Sequence, residues 1–404
     1  MTAPEAPGDR RRALVPRLLG QGYEDEQIAE RRAWVERQTG CRLSHVGATT
    51  LAGPAMRGNV ENPIGAAQVP LGVAGPLEVA GEHARGTFYV PLATTEGALV
   101  RSYERGMLAI TRAGGATVRL LADENTVCPV LVYADAAAAV DAARRLPELL
   151  PALAAAGEAT TRHGRLRAAV PTVVGRRLYV ALSWSTGDAH GMNMIVRASD
   201  AAAEVLARAT GAGERLAMSG MSSEKRASGA LLAGGKGKRA VAAVRLPRRV
   251  LRSVLETDAP RMAATWHATV LGHLAAGALG YNGHLANGLT ALFIACGQDV
   301  ANVANCAVGI TDLEATPEGD LHASVMLPSL TVATVGGGTA LGTARECLEM
   351  LGCFGDGRAP KLAEVLAATL LAGEISMAAA IANGEMVAAH ETYGRNRPAA
   401  GEAP

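Results

Sequence analysis

The chain has 404 residues, with 49% hydrophobic and 19% charged side chains and a formal net charge of +1 at pH 7. That composition excludes a disordered chain, and the near-zero charge excludes a global pull toward nucleic acid or an anionic membrane. Six scattered cysteines without a Cys-x-x-Cys pair argue against a disulfide framework or zinc site, and for a reducing, cytoplasmic setting.

Arg10, Arg11 and Arg12 are followed by too short an apolar run for a secretory leader. Mixed charge over residues 24–37 predicts a helix, and residues 1–60 read as a small N-terminal helical lobe. Glu61-Asn62-Pro63-Ile64-Gly65 and the Gly/Pro-rich residues 69–77 predict tight turns where backbone can approach a ligand. Residues 91–100 then read as a strand running into a helix. Thr94 or Thr95 is expected to cap it, with Leu99, Val100, Tyr103, Met107 and Ile110 at helical spacing. This places Glu96 in the first turn, where an acid either complements the helix dipole or does chemistry at a strand-to-helix junction.

Residues 116–122 form the next expected strand. From Pro129 the pattern changes to strand (130–133), helix (136–146), strand (178–182) and helix (200–210), which predicts a compact α+β insert. Gly187-Asp188-Ala189-His190-Gly191-Met192-Asn193-Met194 precedes that last helix. No Gly-x-Gly-x-x-Gly follows a strand, yet an Asp-turn-Gly before a helix can offer N–H groups to a pyrophosphate.

Residues 219–226 (Ser-Gly-Met-Ser-Ser-Glu-Lys-Arg) make a polar loop. Lys236, Lys238 and Arg239 amid glycines are candidates for phosphate contact, whereas Arg245, Arg248, Arg249 and Arg252 read as surface. Residues 280–287 lead into an apolar run closed by Gly297-Gln298-Asp299, whose acid is either a helix-end residue or a carboxylate held in a dry place. Gly336-Gly337-Gly338-Thr339 has the local form of an anion-binding turn. Residues 365–389 are apolar but broken by glycines and acids, which predicts a buried helix rather than a membrane span. His390 follows.

Taken in order, Glu61-Asn62-x-Ile64-Gly65, Ala93-Thr94-Thr95-Glu96-Gly97, Gly187-Asp188-x-x-Gly191-Met192-Asn193-Met194, Gly297-Gln298-Asp299 and residues 334–339 (Thr-Val-Gly-Gly-Gly-Thr) resemble the soluble catalytic portion of the 3-hydroxy-3-methylglutaryl-coenzyme A reductases. The resemblance runs from about Glu61 to His390. It implies an α+β fold: a large mixed helical and sheet substrate domain (61–128 and 228–397), an inserted ferredoxin-like NADP-binding domain (129–217), a catalytic connecting loop (218–227) and a tail (398–404). It implies a four-electron reduction of an acyl-CoA thioester to an alcohol with NADPH, giving mevalonate and CoA, in a homodimer or dimer of dimers whose active sites are shared between subunits.

The same resemblance assigns roles. Lys225 would stabilise charge developing on the carbonyl oxygen, beside Asp299. Glu96 would donate a proton at the aldehyde step, which needs a raised pKa from burial or a like charge. His390 would protonate the departing thiolate, and Asn287 would hydrogen-bond within this network. Ser219, Glu224, Arg226, His267, Glu61 and Asn62 fall on substrate-binding positions. Asp188, Met192, Asn193, Met194, Gly336, Gly337 and Gly338 would hold the dinucleotide, with Thr161 and Arg162 near its 2′-phosphate.

Three departures touch the acyl pocket. Val127 stands where the family has an arginine for the substrate carboxylate, the 219–226 loop is shorter and carries Glu224 and Arg226, and His267 replaces a lysine. Arg226 has the geometry to take over the carboxylate. The alternatives are a paralogue acting on another acyl thioester, or a regulator that binds nucleotide or CoA without turnover.

Overall fold

The computed structural model describes residues 14–17 and 22–385. The chain divides into two compact units, residues 1–69 and 70–404. The first holds α1 (Asp25–Thr39) and the short α2 (Ser44–Gly47). It runs past the expected limit at residue 60 because its own side chains fasten the following segment. Arg31, fully buried, donates to the carbonyls of Gly22 and Pro63, and Arg32 donates to that of Ile64. Tyr23, Ile28 and Met56 form the small core of this unit.

The second unit opens with the antiparallel pair β1 (Leu71–Ala80) and β2 (Arg85–Ala93), then α3 (Leu99–Arg112) and the long β3 (Ala116–Val127). Next come β4 (Val130–Val132), α4 (Ala136–Glu158), β5 (Arg165–Val174), β6 (Arg177–Ser185), α5 (Met192–Thr210) and β7 (Glu214–Leu216). The strands of this β-α-β-β-α-β run lie in the order β7-β4-β6-β5, the ferredoxin-like arrangement. Its helices cover one face through a core that includes Leu131, Leu153, Trp184 and Leu206.

The insert is fused to the larger sheet. The far end of β3 pairs with β6 (Val127↔Leu182), while its body pairs with β8 (Lys236–Leu246). After α6 (Arg248–Val254), α7 (Ala259–Ala275), α8 (Leu285–Ala295) and α9 (Val303–Cys306), the sheet is extended by β9 (Ile310–Ala315) and β10 (Leu321–Leu330). The chain continues through α10 (Gly342–Met350) into α11 (Ala359–Asn383).

Helix α11 is the centre of the second unit, packing against α3, α7, α8 and strands β3, β8 and β10. It is long and apolar enough to cross a membrane, but 83% of its most apolar window is buried within the protein. A side chain at Gly106 would meet the Ala372 carbonyl at 1.9 Å, so glycine there lets α3 lie directly on α11. The two acids that interrupt its apolar run are both buried and matched. Glu364 accepts the N–H groups of Glu82, His83 and Ala84 at the β1–β2 turn, and Glu374 serves the start of α8.

One local expectation is corrected. Helix α3 begins at Leu99, behind Ala98 in the left-handed region (φ 68°), so Glu96 precedes the helix. Thr94 caps a turn instead: its Oγ1 accepts the Glu96 N–H at 3.0 Å. Gly97 and Ala98 supply the bend that separates strand from helix.

Candidate active site

Two constellations form in the second unit. In the first, the Asn287 amide donates to Glu96 Oε2 at 2.7 Å. Asn287 sits in the first turn of α8, and the approach to that helix is pinned by Glu374. The Glu374 carboxylate accepts the N–H groups of Gly283 and His284 and the Thr311 hydroxyl, at 2.8, 2.5 and 2.8 Å. Tyr103 closes the floor, stacked on the His284 ring at 4.9 Å with its hydroxyl donating to the His284 carbonyl. Glu96 itself is exposed, so this chain alone does not provide the burial expected around it.

His284 was not among the predicted site residues, although it lies three positions before Asn287. It is 3% exposed, and burial lowers its pKa to about 4, against the opposing charge of Glu96. The ordinary value is 6.5, so on acidification the unfolded chain takes up this proton first and folding stability falls as pH drops from 6.5 toward 4. Near pH 5 the loss is about 2 kcal/mol. Urea unfolding of His284→Phe is expected to show a correspondingly smaller drop between neutral pH and pH 5 than the parent protein. Equal drops would contradict it.

In the second constellation Lys225 Nζ lies 2.7 Å from Asp299 Oδ2, with both side chains about half exposed. The shortened loop therefore reaches Asp299. Asp299 caps a short 3-10 turn by accepting the Ala301 N–H. Its position follows from its neighbours: Gln298 bonds the Ala333 N–H and carbonyl, and a side chain at Gly297 would strike the Gly338 carbonyl at 2.4 Å. Gly336–Gly338 thus packs on the Gly297-Gln298-Asp299 segment. Among the described residues, no hydrogen bond or ion pair joins this constellation to Glu96 and Asn287.

Asp188 links several of these segments. Its carbonyl accepts the Thr334 N–H, and its carboxylate accepts those of Gly357 and Ala359 at the start of α11. Both carboxylate oxygens therefore accept backbone N–H groups, and the residue ties its turn to the segment that opens α11. Helix α5 starts behind Gly191 (φ 76°) with no side-chain cap and no acid in its first turn, which leaves N–H groups for an anion. The 161–164 turn, in which Thr161 Oγ1 accepts the His163 and Gly164 N–H groups, meets the same helix end through the Met194 methyl. Arg162 and Asn193 are exposed there, and Met192 is partly buried.

The other residues singled out in the sequence lie as follows. Glu224 is paired with Lys236, which is 1% exposed and not available to a phosphate. Lys238 likewise pairs with Asp123 at 3.0 Å, and Arg239 donates to the Ala233 carbonyl. Val127 is fully buried in the core of the insert. Ser219 Oγ donates to the Cys128 carbonyl, while Arg226 and His267 are exposed. Glu61 and Asn62 are exposed in the first unit. His390 lies outside the described residues.

The profile of the hydroxymethylglutaryl-coenzyme A reductase family matches residues 27–395. The 3-hydroxy-3-methylglutaryl-coenzyme A reductase of Methanothermobacter thermautotrophicus is 43% identical over 375 residues, covering 92% of this chain and 94% of that protein. That of Pyrococcus horikoshii is 41% identical over 382 residues, covering 92% of each. Among solved structures, the reductase of Streptococcus pneumoniae superimposes with a TM-score of 0.68 at 20% identity, over 87% of this chain and 96% of that one. A class II reductase from the same organism, solved bound to NADPH, gives the same TM-score at 21% identity, over 87% of this chain and 86% of that one. Fold and site together define an α+β protein with a ferredoxin-like unit spliced into a larger sheet. The chain belongs to the hydroxymethylglutaryl-coenzyme A reductase family.

Proposed function

We propose that the protein reduces 3-hydroxy-3-methylglutaryl-CoA to mevalonate and CoA at the expense of two NADPH. The observation that carries this reading is the Lys225–Asp299 contact, an ammonium held on a short, solvent-facing loop by a fixed carboxylate. NADPH would supply hydride, which builds negative charge on the acceptor oxygen. Lys225 stabilises that oxygen, and Asp299 keeps the ammonium aimed. Glu96, oriented by the Asn287 amide, donates a proton. His390 completes the set at the departing thiolate.

The uncapped start of α5, the 161–164 turn with Arg162, and the Gly336–Gly338 turn suit an anionic dinucleotide, which supports a cofactor role for the 129–217 insert. Two constellations that no hydrogen bond or ion pair joins among the described residues support a homodimer in which Lys225 of one subunit serves Glu96 of the other. The six cysteines are all free, in keeping with a cytoplasmic setting.

A second reading, reduction of an acyl thioester lacking a terminal carboxylate, is favoured by the complete burial of Val127 and the engagement of Glu224 by Lys236. The deciding experiment follows NADPH oxidation with hydroxymethylglutaryl-CoA and identifies the product. Mevalonate formation establishes the first reading. Bound NADPH with turnover only on carboxylate-free thioesters establishes the second, and binding with no turnover on any thioester leaves a regulator.

A further inference from the structure

Lys236 opens β8, in register with Asn125 of β3, and points its ammonium into the interior beneath the 219–226 loop. There it pairs with the Glu224 carboxylate and lies 3.4 Å from both the Thr126 carbonyl and Met192 Sδ. His190 Nε2 faces the other Glu224 oxygen at 3.9 Å and has no hydrogen-bond partner of its own. His190 belongs to the turn before α5, where its carbonyl accepts from the Asn125 amide. The charged groups around this cluster are Lys225 and Asp299, the next pair outward. Burial pushes the pKa of both Lys236 and His190 down, and Glu224 opposes this in each case.

We propose that Lys236 is a positioning residue for Lys225: its buried ion pair with Glu224 anchors the loop from inside and holds Lys225 against Asp299. Glu224 is the residue immediately before Lys225. Ser223 and Lys225 both hold left-handed backbone at φ 55°, which non-glycine residues keep only where the surroundings over-determine it. A buried ammonium without its carboxylate is far costlier than a buried pair, so Glu224 cannot leave Lys236 and the loop cannot relax outward. A surface lysine would give no such restraint, because an exposed pair is worth little. The pair thus converts a flexible polar loop into a fixed mount.

The inference rests on the reaction proposed above only for its kinetic arm. The chain contains just four lysines (Lys225, Lys236, Lys238 and Lys361), so competitive acetylation read by mass spectrometry reports Lys225 directly, with Lys361 as internal reference. In the full-length protein, Lys236→Met is expected to raise the relative acetylation rate of Lys225 several-fold. It should also lower kcat about 10- to 100-fold with little change in KM for NADPH. Glu224→Gln should act alike, and the double variant should be no worse than either single one, since each breaks the same pair.

Should Lys236→Met fail to fold, the double variant, which buries no unpaired charge, carries the same labelling test. Unchanged Lys225 labelling in a folded variant would overturn the proposal, as would additive losses or a kcat that merely tracks thermal stability. Loss of turnover in every sample, parent included, would count against the proposed substrate, while the labelling result would still decide the role of Lys236.

Discussion

Glu96→Gln is expected to reduce turnover about a thousandfold while leaving NADPH binding and thermal stability near those of the parent. The substitution keeps shape and hydrogen-bonding capacity at the Asn287 contact but removes the ionisable proton. Glu96 sits in an exposed turn before α3 and supports no core packing, so its loss has little structural cost. A general acid needs a proton to give, whereas a residue that only orients a neighbour would tolerate the amide. The measurement is NADPH oxidation by the purified variant together with a fluorescence titration of NADPH. Parent-like turnover would remove Glu96 from the chemistry, and loss of both activity and stability would recast it as structural.

Lys225→Met is the second large effect, an expected loss of about 100- to 1000-fold in kcat from removal of the cation proposed to meet the developing charge. Asp299→Asn should follow in the same direction with a smaller loss, because the ammonium remains but its 2.7 Å partner is weakened. The separation of the two constellations makes a sharper test possible. If Glu96 and Lys225 act across a two-fold interface, mixing inactive Glu96→Gln and Lys225→Met subunits in equal amounts restores about a quarter of parental activity. Half the dimers are then mixed, each with one intact site. If both residues act within one chain, mixing restores nothing, since no single chain carries both.

The elements legible in the sequence were those with a strong local period or a rigid motif. Leu99, Tyr103, Met107 and Ile110 announced α3 through helical spacing, and all four are fully or almost fully buried. The alternation of strands and helices after Pro129 announced the insert, and an interrupted apolar run announced α11. The motif order gave the family, which the match over residues 27–395 bears out. Local errors came where a turn competed with a helix. The spacing predicts Thr94 or Thr95 as the helix cap, but the left-handed bend at Ala98 pushes the helix start beyond Glu96.

What sequence by itself determined is therefore a family membership, an α+β class, and the set of acids, lysine and amide from which the proposed site is drawn. What only the tertiary structure decided is which of those charged groups are free to act. Lys225, between Glu224 and Arg226, and Lys236, between two glycines, are both lysines that read locally as open to solvent, yet one reaches Asp299 at the surface while the other is sealed against Glu224. Asp188 and Glu374 likewise spend their carboxylates on backbone N–H groups that come from distant segments. The reason is physical. A charge is silenced by long-range burial and pairing, and those depend on sheet register and helix packing that no local pattern encodes.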